Sequence, residues 1–154
     1  MDSFFIFCAK YLFVLPALIL AVYFFMQPRA GWKRMIIFAV CSAVLAFILA
    51  KIGSLLIYDP RPFVVGNFVP LVPHAADNGF PSDHALLVSA IAMIGTVWNR
   101  KMGAALWVLA ILVAVSRVYV GVHHTADVVG SFAISIASVI IVLWLMRKKQ
   151  AVPQ

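Results

Sequence analysis

Five runs of apolar residues, at about 4–26, 35–57, 84–98, 104–121 and 125–146, constrain this chain more than anything else in it. A bilayer-crossing helix needs about 20 mostly apolar residues. Inside hydrocarbon, a helix satisfies all its backbone polar groups within one segment. The expectation is therefore an all-α, polytopic transmembrane helix bundle of about five spans, forming a single membrane-embedded domain over 1–154. Composition agrees. The chain is 65% hydrophobic and 11% charged, whereas a soluble domain is about half apolar and about a quarter charged. The third run is short and opens on polar residues, so its start belongs near the interface. The first run lacks a basic start and a small-residue cleavage site, and reads as a retained helix rather than a cleaved signal.

The net charge of +7 does not point to nucleic acid, because the charges are few and cluster at segment ends. Arg29, Lys33, Arg34, Arg100, Lys101, Arg147, Lys148 and Lys149 follow the first, third and fifth runs. The acids (Asp2, Asp59, Asp77, Asp83, Asp127) and the histidines (His74, His84, His123, His124) lie toward the other side. Cytoplasmic loops hold the Lys/Arg excess. The C-terminus should then be cytoplasmic, with the 58–83 connector and the turn near 117–125 facing outward. Five prolines keep that connector from being one continuous helix. Cys8 and Cys41 sit inside apolar runs, away from metal-ligand spacing, and read as small buried hydrophobes.

Three segments carry chemistry. In "SRVYVGVHHTADVVG", a fifth helix beginning near His123 would put His123 and Asp127 at i and i+4 on one face. An Asp one turn from a His accepts its Nδ1–H and leaves Nε2 free to attack. Arg117 offers a planar fork for phosphate oxygens. A pair that merely ties the turn to the helix is the competing reading. His124 points away from His123 and suits the interface. In "YDPRPF", Pro60 and Pro62 stiffen the backbone around Arg61, which suits recognition, although an arginine among lipid headgroups fits as well. In "FPSDHA", Ser82 is a natural N-cap and Asp83 favours the first turn. Free N–H groups there make an anion site, and His84 stands beside it as a proton donor. Capping alone explains Ser82 and Asp83 but not His84. The inventory fits phosphoryl transfer through a phosphohistidine. It calls for no cofactor, and no carboxylate cluster suits Mg²⁺.

These segments resemble the type-2 phosphatidic acid phosphatase superfamily, whose pattern is Lys, six residues, Arg-Pro; Pro-Ser-Gly-His; and Ser-Arg, five residues, His, three residues, Asp. The third motif is complete in Ser116, Arg117, His123 and Asp127, and the second reads Pro81-Ser82-Asp83-His84. The first keeps Arg61-Pro62, with Ser54 at the lysine position and Lys51 three residues before it, on the same helical face. The resemblance implies His123 as nucleophile, Asp127 as its orienter and His84 as acid. It implies Arg61, Arg117 and Ser82 at the phosphate, with Asp83 beside them and Lys51 as the substitute lysine. Ser116 would be a further substrate contact. "DPRPFV" followed by "LVPHAADNGFPSDH" is similar, more narrowly, to the bacterial undecaprenyl-diphosphate phosphatases of bacitracin-resistance type, in which Asp at position 83 is a subfamily mark.

That narrower resemblance implies an isoprenyl diphosphate substrate, an active site at the outer face of the bacterial inner (cytoplasmic) membrane and carrier recycling for peptidoglycan synthesis. His74 and Asp77 would contact the second phosphate or the headgroup zone, or else only hydrogen-bond within the loop. Asp83 would orient Arg61 or Arg117, or cap its helix. Family members often have six spans, and the span missing from five is an N-terminal one outside the catalytic core. The alternatives are a glycerophospholipid phosphatase, acting on phosphatidylglycerophosphate or phosphatidic acid, and a non-enzymatic lipid transporter or binding protein. Partners beyond substrate and membrane lipids are not implied, and a homo-oligomer stays open.

Overall fold

The computed structural model describes residues 1–150, and all its regular elements are helices: α1 (Asp2–Tyr11), α2 (Val14–Phe25), α3 (Arg29–Leu56), α4 (Pro62–Val65), α5 (Asp83–Trp98), α6 (Arg100–Tyr119) and α7 (Thr125–Gln150). Among the described residues the only β feature is an isolated antiparallel bridge between Pro60 and Asn78. Helices α3, α6 and α7 are long and apolar enough to cross a bilayer alone. The first apolar run is not one straight span. It breaks at Leu12–Phe13 into α1 and α2, which meet at a 46° bend. Pro16 explains the break, since it has no N–H for the Leu12 carbonyl and its ring crowds that carbonyl. Together α1 and α2 form a fourth candidate span. The expected third span is α5, at 16 residues about 24 Å long, too short to cross the hydrocarbon without a neighbour.

Helix α5 is the hub. It packs on both α6 and α7, while α3 leans on α7 and α1 on the C-terminal end of α6. Its face of Val88, Ile91 and Ala92 meets Leu106, Ala110 and Val113 of α6 in one core cluster, and Ile94 joins Phe38, Val139 and Val142 in another. Outside this core the surface is inverted relative to a soluble protein. Phe25, Val44, Phe47, Val108, Val129 and Trp144 are exposed, as lipid-facing side chains should be. Cys8 is buried as expected, but Cys41 lies on this exposed surface, because its position on α3 faces away from α7.

The helices alternate in direction, so the C-terminal end of α6 and the N-terminal ends of α5 and α7 gather at one end of the bundle. The 57–82 connector closes that end. Asn78 anchors it: Nδ2 donates to the carbonyls of Ser54 (3.0 Å) and Ile57 (2.8 Å) at the end of α3, and Oδ1 accepts from the N–H groups of Asp59 (2.9 Å) and Phe80 (3.1 Å). All four hydrogen-bonding valences of the amide are used. Phe80 drives its ring between α3 and α7 where Gly53 and Gly130 leave room. A Cβ at Gly130 would overlap the ring, and one at Gly53 would sit 3.1 Å from it. The Phe80–Pro81 peptide is cis.

Candidate active site

At the closed end lies a cavity of about 420 Å³, lined by Lys51 and Ser54 of α3, Arg61, His74 and Asp77 of the connector, Asp83 and His84 of α5, Arg117 of α6, and His123. Residues separated by more than seventy positions thus share one polar chamber. Phe47, Ala50 and Leu86 form its apolar side.

His123 is at its centre. It does not belong to α7, which starts at Thr125; it occupies the turn just before, following Gly121 with its φ of +80°. The i, i+4 relation to Asp127 nevertheless holds, with His123 Nδ1 3.3 Å from Asp127 Oδ2. The Gly79 carbonyl is closer to Nδ1, at 3.0 Å. Two acceptors on Nδ1 keep its proton there and leave the Nε2 lone pair toward the cavity. Arg61 Nη1 lies 3.4 Å from Nε2, which a donor does only to an unprotonated nitrogen. The ring is buried, at 3% exposure. Burial, with Arg117 and Arg61 nearby, pushes the imidazole below its usual value against the opposing pull of Asp127.

Arg61 is fixed on three sides. Nε donates to Asp77 Oδ1 at 2.7 Å, Nη1 to the Val122 carbonyl at 2.8 Å, and Nη2 to the Asn78 carbonyl at 3.4 Å. The carboxylate that orients Arg61 is therefore Asp77 and not Asp83, because the connector folds Asp77 back over the guanidinium. Arg61 holds the Asp77 carboxyl below its usual range. Asp83 lies in the cavity wall, where its charge faces Arg117. Arg117 is 3% exposed, and Nη1 reaches the Ala9 carbonyl of α1 at 3.4 Å.

His84 opens onto the chamber from the first turn of α5. Its ring meets Phe13, at the α1–α2 break, edge to face with centroids 4.9 Å apart. The first candidate span thus supports two cavity residues, through Ala9 and Phe13. Ser82 holds the N-cap position of α5, but its side chain makes no capping bond. Its buried hydroxyl has no protein partner among the described residues, while its N–H takes Ser131 Oγ at 2.9 Å. Ser116 is not brought to the cavity. It is fully buried and donates to the Leu112 carbonyl at 2.6 Å, the usual outlet for a helical serine.

His74 reaches the chamber with its ring 6.1 Å from that of His123, and burial and Arg61 lower its imidazole from the usual value. His124 turns away, placing Nε2 3.2 Å from the Pro60 carbonyl. Among the described residues no group of three His, Cys, Asp or Glu side chains is arranged to hold a metal ion. The participants that spacing did not reveal are Asn78, Gly79, Ala9 and Phe13. Only Asn78-Gly79 had a local signal, as a turn dipeptide in a proline-rich connector.

A helical membrane protein with a cationic, imidazole-bearing chamber at one end of its bundle is equipped to bind and transfer a phosphoryl group. The chain belongs to the PAP2 superfamily, whose family model matches residues 32–151. It is 34% identical over 137 residues to undecaprenyl-diphosphatase BcrC of Bacillus subtilis, covering 88% of this chain and 70% of that protein. It is likewise 34% identical over 149 residues to a Bacillus licheniformis protein named bacitracin transport permease protein BcrC, covering 96% of this chain and 73% of the other. Its fold is similar to the crystal structure of Aquifex aeolicus LpxE, with a TM-score of 0.74 at 25% identity over 93% of this chain and 85% of that one. The chain is a membrane phosphatase of this family.

Proposed function

We propose that the protein hydrolyses undecaprenyl diphosphate to undecaprenyl phosphate and orthophosphate through a phosphohistidine. It would act at the outer face of the bacterial inner membrane, with its C-terminus in the cytoplasm, and so recycle the carrier for peptidoglycan synthesis. The observation that carries this reading is the fixed ring of His123, whose Nδ1 is held by Gly79 and Asp127 while Nε2 faces the chamber beside Arg61.

In the first step the Nε2 lone pair attacks the terminal phosphorus. The bond from that phosphorus to the bridging oxygen breaks, its electrons leave with undecaprenyl phosphate, and His84 gives a proton to the departing oxygen. In the second step water attacks the phosphorus and passes a proton to His84. The N–P bond breaks, its electrons return to Nε2, and orthophosphate leaves. Arg61, Arg117, the first N–H groups of α5 and the unpartnered Ser82 hydroxyl stabilise the equatorial oxygens. Lys51 replaces the family lysine from the same wall of the cavity, and His74 and Asp77 meet the diphosphate headgroup from the connector. Asp83 acts by balancing Arg117 and not by proton transfer.

A transport reading fits the geometry less well. The acidic and imidazole groups, with Arg61 and Arg117, gather at one end of the bundle, and among the described residues no charged path follows the spans. The test is phosphate release by purified protein from undecaprenyl diphosphate, phosphatidylglycerophosphate and phosphatidic acid, with excess EDTA present. Release from the isoprenyl diphosphate alone, undiminished by EDTA, is expected. Preference for a glycerophospholipid would overturn the substrate, and a strict Mg²⁺ requirement would overturn the metal-free mechanism.

A further inference from the structure

Between Arg61 and His74, both in the chamber wall, the connector runs "PFVVGNFVPLVP" with no charged side chain. Val64, Val65, Phe68, Val69 and Leu71 are all exposed, Val69 at 90%. A loop in water rarely shows that many apolar side chains together, and this one lies between spans, not within one. Its local geometry is defined. The single turn of α4 closes with the Gly66 N–H on the Pro62 carbonyl at 2.8 Å, and Asn67 then takes a left-handed φ of +48°. That reversal starts the return limb. Phe68 lies over Gly121, where a Cβ would come within 2.6 Å of its ring. Val72 enters a buried cluster with Ala9, Val120 and Val122. The foot of the loop is packed and its tip is not.

The height of the loop in the molecule indicates what covers the tip. The Leu71 N–H donates to the Val120 carbonyl at 3.0 Å, one residue past the end of α6. Helix α6 has 20 residues, about 30 Å of helix, which matches the hydrocarbon thickness of a bilayer. Its other end carries Arg100 and Lys101. The loop therefore meets α6 at the hydrocarbon edge on the chamber side. It is also continuous with the lipid-facing surface. Phe68, Val69 and Leu71 share one depression with Val118 and Tyr119 of α6, and those two also line an apolar groove between α6 and α7. The backbone suits such a place. Pro62, Pro70 and Pro73 have no N–H, and those of Val64, Val65, Gly66, Phe68 and Leu71 are bonded to carbonyls of the protein. Few donors are left to need water.

We infer that the tip of this loop, residues 64–71, is immersed in the bilayer leaflet on the chamber side and so holds the chamber at the level of the lipid headgroups. Apolar side chains at that depth lie at the boundary of headgroups and acyl chains. The loop joins Arg61 to His74 and carries Phe68 onto the turn before His123, so its depth sets the height of the phosphate-binding groups. The partner is the bilayer itself, whichever lipid phosphate is hydrolysed.

The test has two arms. Spin labels are placed at Val65→Cys and Val69→Cys, with Cys8 and Cys41 replaced by alanine, in vesicles of phosphatidylcholine and phosphatidylglycerol. Val108→Cys on the exposed face of α6 and Lys101→Cys at its basic end are the lipid and water references. Collisions with oxygen should exceed those with a water-soluble nickel chelate at both loop positions, with a depth between the two references. Nickel-dominated collisions like those at Lys101→Cys would overturn the proposal, and so would spin–spin broadening at Val69→Cys, which would mean that a second copy of the chain covers the tip. In the kinetic arm, Val65→Asp with Val69→Asp should lower turnover of undecaprenyl diphosphate in vesicles about tenfold, the worth of one valine moved between lipid and water. Hydrolysis of a water-soluble short-chain prenyl diphosphate should be unchanged. Equal loss on both substrates, or loss on neither, would contradict an anchor that sets the height of the chamber. The spectroscopic arm needs no substrate, so an error in the substrate reading leaves it intact.

Discussion

At the residue scale the site is a set of side chains held by backbone carbonyls. His123 leans on the Gly79 carbonyl, Arg61 on those of Val122 and Asn78, and Arg117 on that of Ala9. The pH dependence follows from His123. In the proposed mechanism the attacking form is the neutral imidazole, and burial lowers its pKa. Protonation, which removes the lone pair, is thus deferred to more acid solution. The acid limb of kcat/KM should lie below the ordinary imidazole value of about 6.5. A limb at or above that value would mean that His123 is not desolvated as described. Asp77 makes a second prediction. It holds Arg61 Nε from a largely exposed position, so Asp77→Asn should weaken kcat/KM only about two- to fivefold, read as a rise in KM. Residue spacing made the side chains legible: His123 and Asp127 one turn apart, Arg61 between prolines, and His84 at a helix start. Spacing did not show which carboxylate serves which arginine, because Asp77 and Asp83 are both local to the motif and only the fold of the connector separates them.

At the element scale the connector is the part that sequence described least. Its prolines exclude a long helix, but its shape is set by Asn78 and Phe80, which tie it to α3 and α7. Asn78→Ala removes four hydrogen bonds at a partly buried position and should lower stability by about 1–3 kcal/mol. Thermal unfolding in detergent measures it, and an unchanged midpoint would show that the amide does not anchor the loop. The first span carries a related lesson. Pro16 was the available signal for its break, and a hydropathy window passes over a single proline in an apolar run. The consequence reaches the site, since the break brings Phe13 onto His84. Helices α3, α6 and α7 were legible because their apolar runs are long and uninterrupted.

At the scale of the whole molecule, the helices separate a basic end from a chemical end. Arg29, Lys33, Arg34, Arg100 and Lys101 lie at the start of α3 and at the α5–α6 junction, opposite the cavity. In the proposed orientation, with Lys/Arg retained in the cytoplasm, the chamber would face out, where a spent lipid diphosphate would be exposed. A reporter that works only in the cytoplasm, fused after Gln154, should be active. If it is silent and an exported reporter works there, the orientation is reversed. The measurement that tests the central claim most directly is capture of the covalent intermediate on substrate labelled in its terminal phosphate. Rapid quenching of His84→Ala, in which hydrolysis of the intermediate is slowed, should give an acid-labile, base-stable label on His123 that is absent from His123→Ala. Unimpaired turnover by His123→Ala, with no label on the protein, would contradict the account.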